Sequence, residues 1–257
     1  MKHPLRTLLL AVCCGLAAAC TQRQERLKLM SYNIRNGIGI DNIQDIGRIA
    51  RVILREAPDL VALQELDSAT LRVDGRYIPG ELGRMTGMHA TFGRAIGFAG
   101  GSYGIGLLSR TEPLAVRSIP LPGREEARVL LMAEFPDYTV CVTHLSLTPE
   151  DRHASLPLIL QATDTCRKPV LLAGDFNTGD AAAVLAGLGG GFRILSDTTR
   201  MTFPSDNPAV RIDYILGRGL PTSATVTESA VDHTATASDH CPLWVTLAWK
   251  RGKQPRK

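Results

Sequence analysis

Two separate stretches of this chain are built to the same plan, and that repetition restricts the fold more than any other feature. In the first, Leu27 to Ile34 alternates like a strand, and Ile43, Ile46, Ile49, Ala50, Ile53, Leu54 and Ala57 then recur at helical spacing. Asp41 is the expected N-cap and Pro58 the stop, with Arg48, Arg51 and Arg55 on the opposite face. Leu60 to Leu63 is a short, wholly apolar run of the kind covered on both sides, and it closes on Gln64-Glu65. In the second stretch, Tyr138 to Leu145 alternates, residues 150–165 have helical character, and Val170 to Ala173 is again apolar, leading into Gly174-Asp175-Phe176-Asn177. Asn33 and Glu65 are 32 positions apart, and His144 and Asp175 are 31 apart. A further strand follows each unit, YGIGLLSR at 103–110 and RIDYILGR at 211–218. The pattern predicts an internally duplicated α/β protein, two βαβ-containing halves packed sheet on sheet with helices outside.

That topology makes a chemical prediction. The two strands of a βαβ unit are parallel, so their C-terminal ends share one edge of the sheet. Asn33, Glu65, His144 and Asp175 all stand at such ends, where open α/β sheets place their sites. The glycines from 97 to 106 lack the lysine of a phosphate-binding loop and read as a flexible loop or hairpin near the pocket.

MSYNIRNG, LVALQE, YGIGLLSR, VTHLS, LLAGDFN, RIDYIL and SDHCPL follow one another in the order found in the endonuclease/exonuclease/phosphatase superfamily, and the chain resembles it over about residues 26–249. The resemblance implies a four-layer α/β sandwich of two packed mixed sheets with outer helices, and a metal-dependent phosphoesterase. It implies that Glu65 is the principal carboxylate ligand of a divalent metal, Mg²⁺ with Mn²⁺ as a substitute, supported by Asn33 and Asp239. Such a set suits Mg²⁺, which takes oxygen ligands, whereas the His and Cys clusters favoured by zinc are missing. By the same resemblance, Asp175 orients or deprotonates the attacking water, and Asn177 helps hold that water or the phosphate. Asp213 and His240 form a carboxylate–imidazole pair that keeps the histidine cationic, and His144 matches the histidine of the nuclease and sphingomyelinase branches. Arg35 stands where abasic-site endonucleases carry an acid; it either engages a phosphate or headgroup or forms a surface ion pair. Tyr103-Gly104-Ile105-Gly106 lacks the Asn that many relatives carry there, and His89, His153 and His233 match nothing and are expected to be surface or structural.

The two ends of the chain speak to compartment. Lys2 and Arg6 precede an apolar run from Leu8 to Ala19, and small residues lead to Cys20. This is the layout of a secretory signal over residues 1–19, and Leu16-Ala17-Ala18-Ala19-Cys20 resembles a lipoprotein box with Cys20 as the lipidated residue. Twelve apolar residues fall short of the roughly 20 a transmembrane helix needs. Residues 250–257 read as a basic tail. The whole chain of 257 residues has a net charge of +4, but setting aside the seven basic residues of leader and tail leaves 22 Lys and Arg against 25 Asp and Glu, a net of −3. An acidic body disfavours a broad duplex-DNA surface. The remaining Cys141, Cys166 and Cys241 show no metal-like spacing; one bridge such as Cys141–Cys166 is permitted, and free thiols are the plainer reading.

The expectation is therefore an exported monomer, lipid-anchored at Cys20 or otherwise secreted, acting on a small or lipid-linked phosphodiester. An exported DNA endonuclease and a catalytically silent envelope binding protein are the competing functions.

Overall fold

The computed structural model describes residues 24–250; the expected signal segment, Cys20 and residues 251–257 lie outside the described residues. In chain order the elements are β1 (Gln24–Asn33), α1 (Ile46–Glu56), β2 (Leu60–Ser68), α2 (Ile78–Thr86), β3 (His89–Phe98), β4 (Gly101–Ser109), β5 (Ala115–Leu121) and β6 (Arg128–Glu134). They continue with β7 (Thr139–His144), α3 (Pro149–Asp164), β8 (Val170–Asp175), α4 (Ala181–Leu188), β9 (Arg193–Ile194), β10 (Asp213–Arg218), β11 (Thr225–Val231) and β12 (Leu243–Lys250). Lys250, assigned to the basic tail from sequence, is thus the last residue of a strand.

The strands form two mixed sheets of six, ordered β11-β12-β1-β2-β4-β3 and β5-β6-β7-β8-β10-β9. Each contains one parallel pair, β1 with β2 and β7 with β8, and these are the βαβ units seen in the sequence. Alternation along each strand sends one set of apolar side chains between the sheets and the other toward the helices. Leu29, Ala62, Leu107, Leu131, Val142, Leu171, Ile215 and Val245 fill the space between sheets. Ile49, Ile53 and Leu82 pack the first sheet's outer face against Val61 and Leu63, while Leu156, Ile159 and Val184 cover Leu130, Leu172 and Leu216 of the second. The result is the expected four-layer sandwich, in which each fully buried Leu or Ile contributes about 1.5–3 kcal/mol.

Helix α1 starts later than its apolar repeat suggests. Its N-cap is Asp45, which accepts from the Gly47 N–H at 2.7 Å. Asp41 instead accepts from the Ile43 N–H at 3.0 Å and holds Arg48, a local turn that competes with helix. Ile43 therefore lies outside the helix and Leu54 points to solvent, while Val52 is buried in their place. The glycine-rich segment forms an ordered hairpin: Phe98 pairs with Gly101 across Ala99-Gly100, both at positive φ as a two-residue hairpin turn requires. All three cysteines of the fold are free thiols.

Candidate active site

The register of the strands builds the site. In the second sheet His144 of β7 is the direct partner of Asp175 of β8, and Asp213 of β10 faces Asp175 from the other side. The close approach needs Gly174, because a Cβ there would strike the Thr143 carbonyl. In the first sheet Asn33 is the partner of Gln64, and the carboxylate comes one residue later, on a bulge between Leu63 and Leu66. Glu65 has φ of +59°, a left-handed conformation uncommon for a non-glycine residue; Arg35 and Asn177 share it at +44° and +51°. Backbone held this way re-aims a side chain and gathers at functional sites.

The sandwich then brings the two edges together. Asn33 donates from Nδ2 to Glu65 Oε1 at 3.0 Å and to Asp175 Oδ2 at 3.2 Å, while its Oδ1 accepts the Arg35 N–H at 3.1 Å. The same Asp175 oxygen lies 3.6 Å from His144 Nε2 and 3.7 Å from His240 Nε2. Asp175 Oδ1 accepts the Asn177 N–H at 2.8 Å, and the Asn177 side chain donates to the Leu145 carbonyl, also at 2.8 Å. His240 Nδ1 is 3.0 Å from Asp213 Oδ2, and its ring lies against Phe203 at 4.8 Å between centroids. Arg35 is at the rim, with Nε 3.5 Å from Asp239, so the ion-pair reading of that residue is the one the structure displays. All nine residues singled out in the sequence therefore belong to one cluster or its rim. His89, His153 and His233 are exposed and outside it.

Burial sets the electrostatics. Asp175 is 1% exposed, and burial together with the neighbouring Asp213 carboxylate pushes its pKa up to about 7. Burial disfavours the charge on His240 as well, but the Asp213 carboxylate and its hydrogen bond, then Asp175 and Asp239, outweigh it and hold the imidazole up at about 10. His144 goes the other way: burial, with Arg128 and His240 as like charges, drives it well below the usual histidine value. Two imidazoles in opposite protonation states thus face one carboxylate.

The donor set also suits a cation. Asp175, Asp213 and His240 offer ligand atoms within 4.8 Å of one another. His240, however, already has Nδ1 on Asp213 and is held cationic, which makes this trio a proton-handling group first. Glu65 and Asp239 are the half-buried carboxylates at the mouth, and among the described residues Glu65 is engaged through Oε1 to Asn33 alone. An oxygen-rich set with one or two accessible carboxylates fits a hard divalent ion such as Mg²⁺.

The sequence profile of the Endonuclease/Exonuclease/phosphatase family matches residues 30–240. The chain belongs to that family. Its enzymes hydrolyse phosphoester bonds and generally depend on a divalent metal. Comparison with curated proteins finds no match. Among solved structures, an endonuclease/exonuclease/phosphatase from Beutenbergia cavernae is 24% identical with a TM-score of 0.70, over 88% of this chain and 72% of that one. A mannosyl-6-phosphatase of Bacteroides thetaiotaomicron is 19% identical, TM-score 0.65, over 86% and 99% of the two chains. D. rerio TDP2, complexed with a single-strand DNA product, is 23% identical, TM-score 0.65, over 86% and 98%. At these identities the structures share the fold with this chain.

Several supporting residues escape the motif reading. Arg128 is buried and paired with Glu126 at 3.1 Å and Glu125 at 3.5 Å, and it acts on His144 through space. A single arginine opening the apolar strand Val129-Leu130-Leu131-Met132 is the signal that could have marked it. The Ser238 hydroxyl donates to the Asn33 carbonyl at 2.7 Å, tying the SDH segment to the first sheet. Nothing in the local sequence announces a contact across 205 positions.

Proposed function

We propose that the protein is an exported phosphoesterase that hydrolyses a small or lipid-linked phosphodiester by in-line attack of an activated water, with Mg²⁺ as its metal and Mn²⁺ as a substitute. The observation that carries this reading is Asp175 Oδ2, a buried carboxylate oxygen approached by Asn33, His144 and His240 together. In-line displacement needs a nucleophile aligned with the leaving oxygen and positive charge on the non-bridging oxygens. Asp175 orients the water and takes its proton, while the Asn177 N–H and Asn33 amide fix the carboxylate plane. His240, kept cationic by Asp213, stabilises charge as it builds on phosphorus oxygens. His144 donates a hydrogen bond to the same region as a neutral ring. The metal, held by Glu65 with Asn33 and Asp239 in support, supplies Lewis-acid stabilisation of the phosphate when bound.

The preference for a small or lipid-linked substrate over duplex DNA is supported by the acidic body and by the arginines near the cleft, several of which are already neutralised. Arg35 pairs with Asp239, Arg72 with Asp67, Arg124 with Asp151 and Arg200 with Asp197. The test is turnover by the mature chain on a synthetic phosphodiester, a phosphomonoester, plasmid DNA and sphingomyelin-type vesicles, each with Mg²⁺ and with chelator. We expect the diester to be cleaved fastest and chelator to stop it. Faster monoester turnover, in line with the mannosyl-6-phosphatase relative, would replace the diester reading, and efficient plasmid nicking would replace it with a nuclease. A folded protein inert on all four would be a binding protein.

A further inference from the structure

The loop joining β9 to β10, residues 195–212, exceeds the roughly 12–15 residues beyond which a connection without regular structure is uncommon. It is held along its length. Arg211 is buried, donating from Nη1 to the Arg200 carbonyl at 2.8 Å and from Nη2 to the Ser196 hydroxyl at 2.6 Å, with its guanidinium over the Tyr214 ring. Thr202 and Phe203 both donate their N–H groups to the Val210 carbonyl, at 2.9 and 3.0 Å, which folds the loop back on itself. The middle of the loop is thereby fixed in one place.

That place is the seam between the two partners of the carboxylate–imidazole pair. Asp213 opens β10 in the second sheet, whereas His240 precedes β12 in the first. Thr202 touches both segments: Oγ1 accepts the N–H of Ile212 at 3.2 Å and of Asp213 at 3.3 Å, and its carbonyl accepts the Cys241 N–H at 2.8 Å. Ser205 adds two bonds to the SDH segment, from its N–H to the Asp239 carbonyl at 2.7 Å and from its hydroxyl to the Ser238 carbonyl at 2.6 Å. Between these stitches the half-buried Phe203 ring lies against the His240 ring, tilted by 45° at 4.8 Å. The imidazole itself has one short bond, from Nδ1 to Asp213 Oδ2 at 3.0 Å, and Nε2 stands 3.7 Å from Asp175. The ring torsion of a histidine is broad and soft, so a single hydrogen bond does not fix its plane. Packing against another ring does. We propose that Phe203 is a positioning residue: its ring holds the His240 imidazole in the plane that keeps Nδ1 on Asp213 and Nε2 toward Asp175, while Thr202 sets the separation of the two segments. The catalytic consequence of this role rests on the phosphoesterase reading above.

Phe203→Leu removes the ring and keeps most of the apolar volume, whereas Phe203→Tyr keeps the ring. We expect Phe203→Leu to lower kcat on the synthetic diester by about 10–100-fold at little-changed KM, the loss that a misaimed group produces, and Phe203→Tyr to restore most of it. In a His240→Gln background the same Phe203→Leu change should cost less than about twofold, because residues that act as a unit are not additive. An equal loss in both backgrounds would make the ring merely structural, and a raised KM at unchanged kcat would place Phe203 on the substrate; either would overturn the proposal. A second readout needs no turnover. The Nδ1 proton of His240, shared with Asp213, should give a downfield proton resonance that His240→Gln removes, that broadens by solvent exchange in Phe203→Leu, and that persists in Phe203→Tyr. Phe203→Met takes the place of Phe203→Leu if that variant melts well below wild type. An unchanged resonance in the folded variant without the ring would overturn the proposal. Its selective loss in a protein inert on every ester would keep the positioning role and refute the phosphoesterase reading alone.

Discussion

The two βαβ halves share a topology and differ in where they leave their carboxylate. In the second half the acid sits in register, His144 opposite Asp175, with both side chains buried and Asp213 alongside. In the first half the in-register partner of Asn33 is Gln64, and Glu65 follows on a bulge at positive φ, half-buried at the cleft mouth. A non-glycine residue in that conformation costs of order 1–3 kcal/mol, so the surrounding structure must hold it there. The difference separates two chemistries. A dry, in-register pair favours proton exchange, because burial shifts protonation; an acid turned out by a bulge stays accessible to a hydrated cation. Duplication supplied two similar edges, and one extra residue in β2 made them unequal.

The comparison is broken most severely at Asp175. Asp175→Asn should lower turnover by ~10²–10⁴, the range for losing a positioned base, with a circular dichroism spectrum and melting temperature near wild type; a folded variant of near-normal activity would remove the second half from proton transfer. Glu65→Gln should act on the other half alone, raising the Mg²⁺ concentration for half-maximal binding by roughly 10–100-fold in calorimetric titration, while an unchanged titration would put the ion elsewhere. Asp213→Asn should sharpen the picture through pH. His240 faces Asp213, Asp175, Asp239 and His144, and its cation survives to about 10 chiefly because of Asp213. Without that carboxylate the folded-state pKa falls, Asp175 and Asp239 being the acids left to oppose burial, and the alkaline limb of the activity profile should move to lower pH. A limb that stays put would show that His240 acts in the neutral form.

How much of this was legible beforehand varied with the range of the cause. Period and apolar runs gave the parallel pairs, because burial on both faces of β2 and β8 is written in consecutive residues. The convergence of Asn33, Glu65, His144 and Asp175 followed from topology alone, while Asp213, His240 and Asp239 needed the family resemblance. The start of α1 was misplaced because Asp41 and Asp45 are both good caps, and the choice turns on Arg48 reaching back to Asp41. The bulge at Glu65 left no local mark: it is imposed by pairing with β4, some 40 residues away. Arg128 was missed although its partners Glu125 and Glu126 are its near neighbours in sequence, because what it acts on, His144, comes beside it only through the pairing of β6 with β7.

That loop supplies the smallest effect and a control on the whole comparison. Glu125 accepts hydrogen bonds from the Ser146 hydroxyl at 2.6 Å, the Leu147 N–H at 2.7 Å and the Thr148 hydroxyl at 3.1 Å, just beyond His144. Burial works against its charge, but these donors prevail and hold its pKa down at about 2. A carboxyl depressed on folding adds stability that is fully present above its unfolded pKa of ~4.3 and is lost as pH falls toward the folded value. The melting temperature should therefore decline between about pH 4.5 and 2, and Glu125→Gln should flatten that decline. At pH 6 the variant should melt about 2–4 °C lower, equivalent to about 1 kcal/mol in a domain of this size. If the bonds around Glu125 also position β7, Glu125→Gln should lower turnover modestly and leave the Mg²⁺ titration unmoved, since the Glu65 edge is built by other strands. Parallel melting curves for the two proteins would mean that Glu125 is held as firmly in the unfolded chain. A shifted metal titration would mean that the two halves are not separable, and that the division of labour drawn from the bulge is wrong.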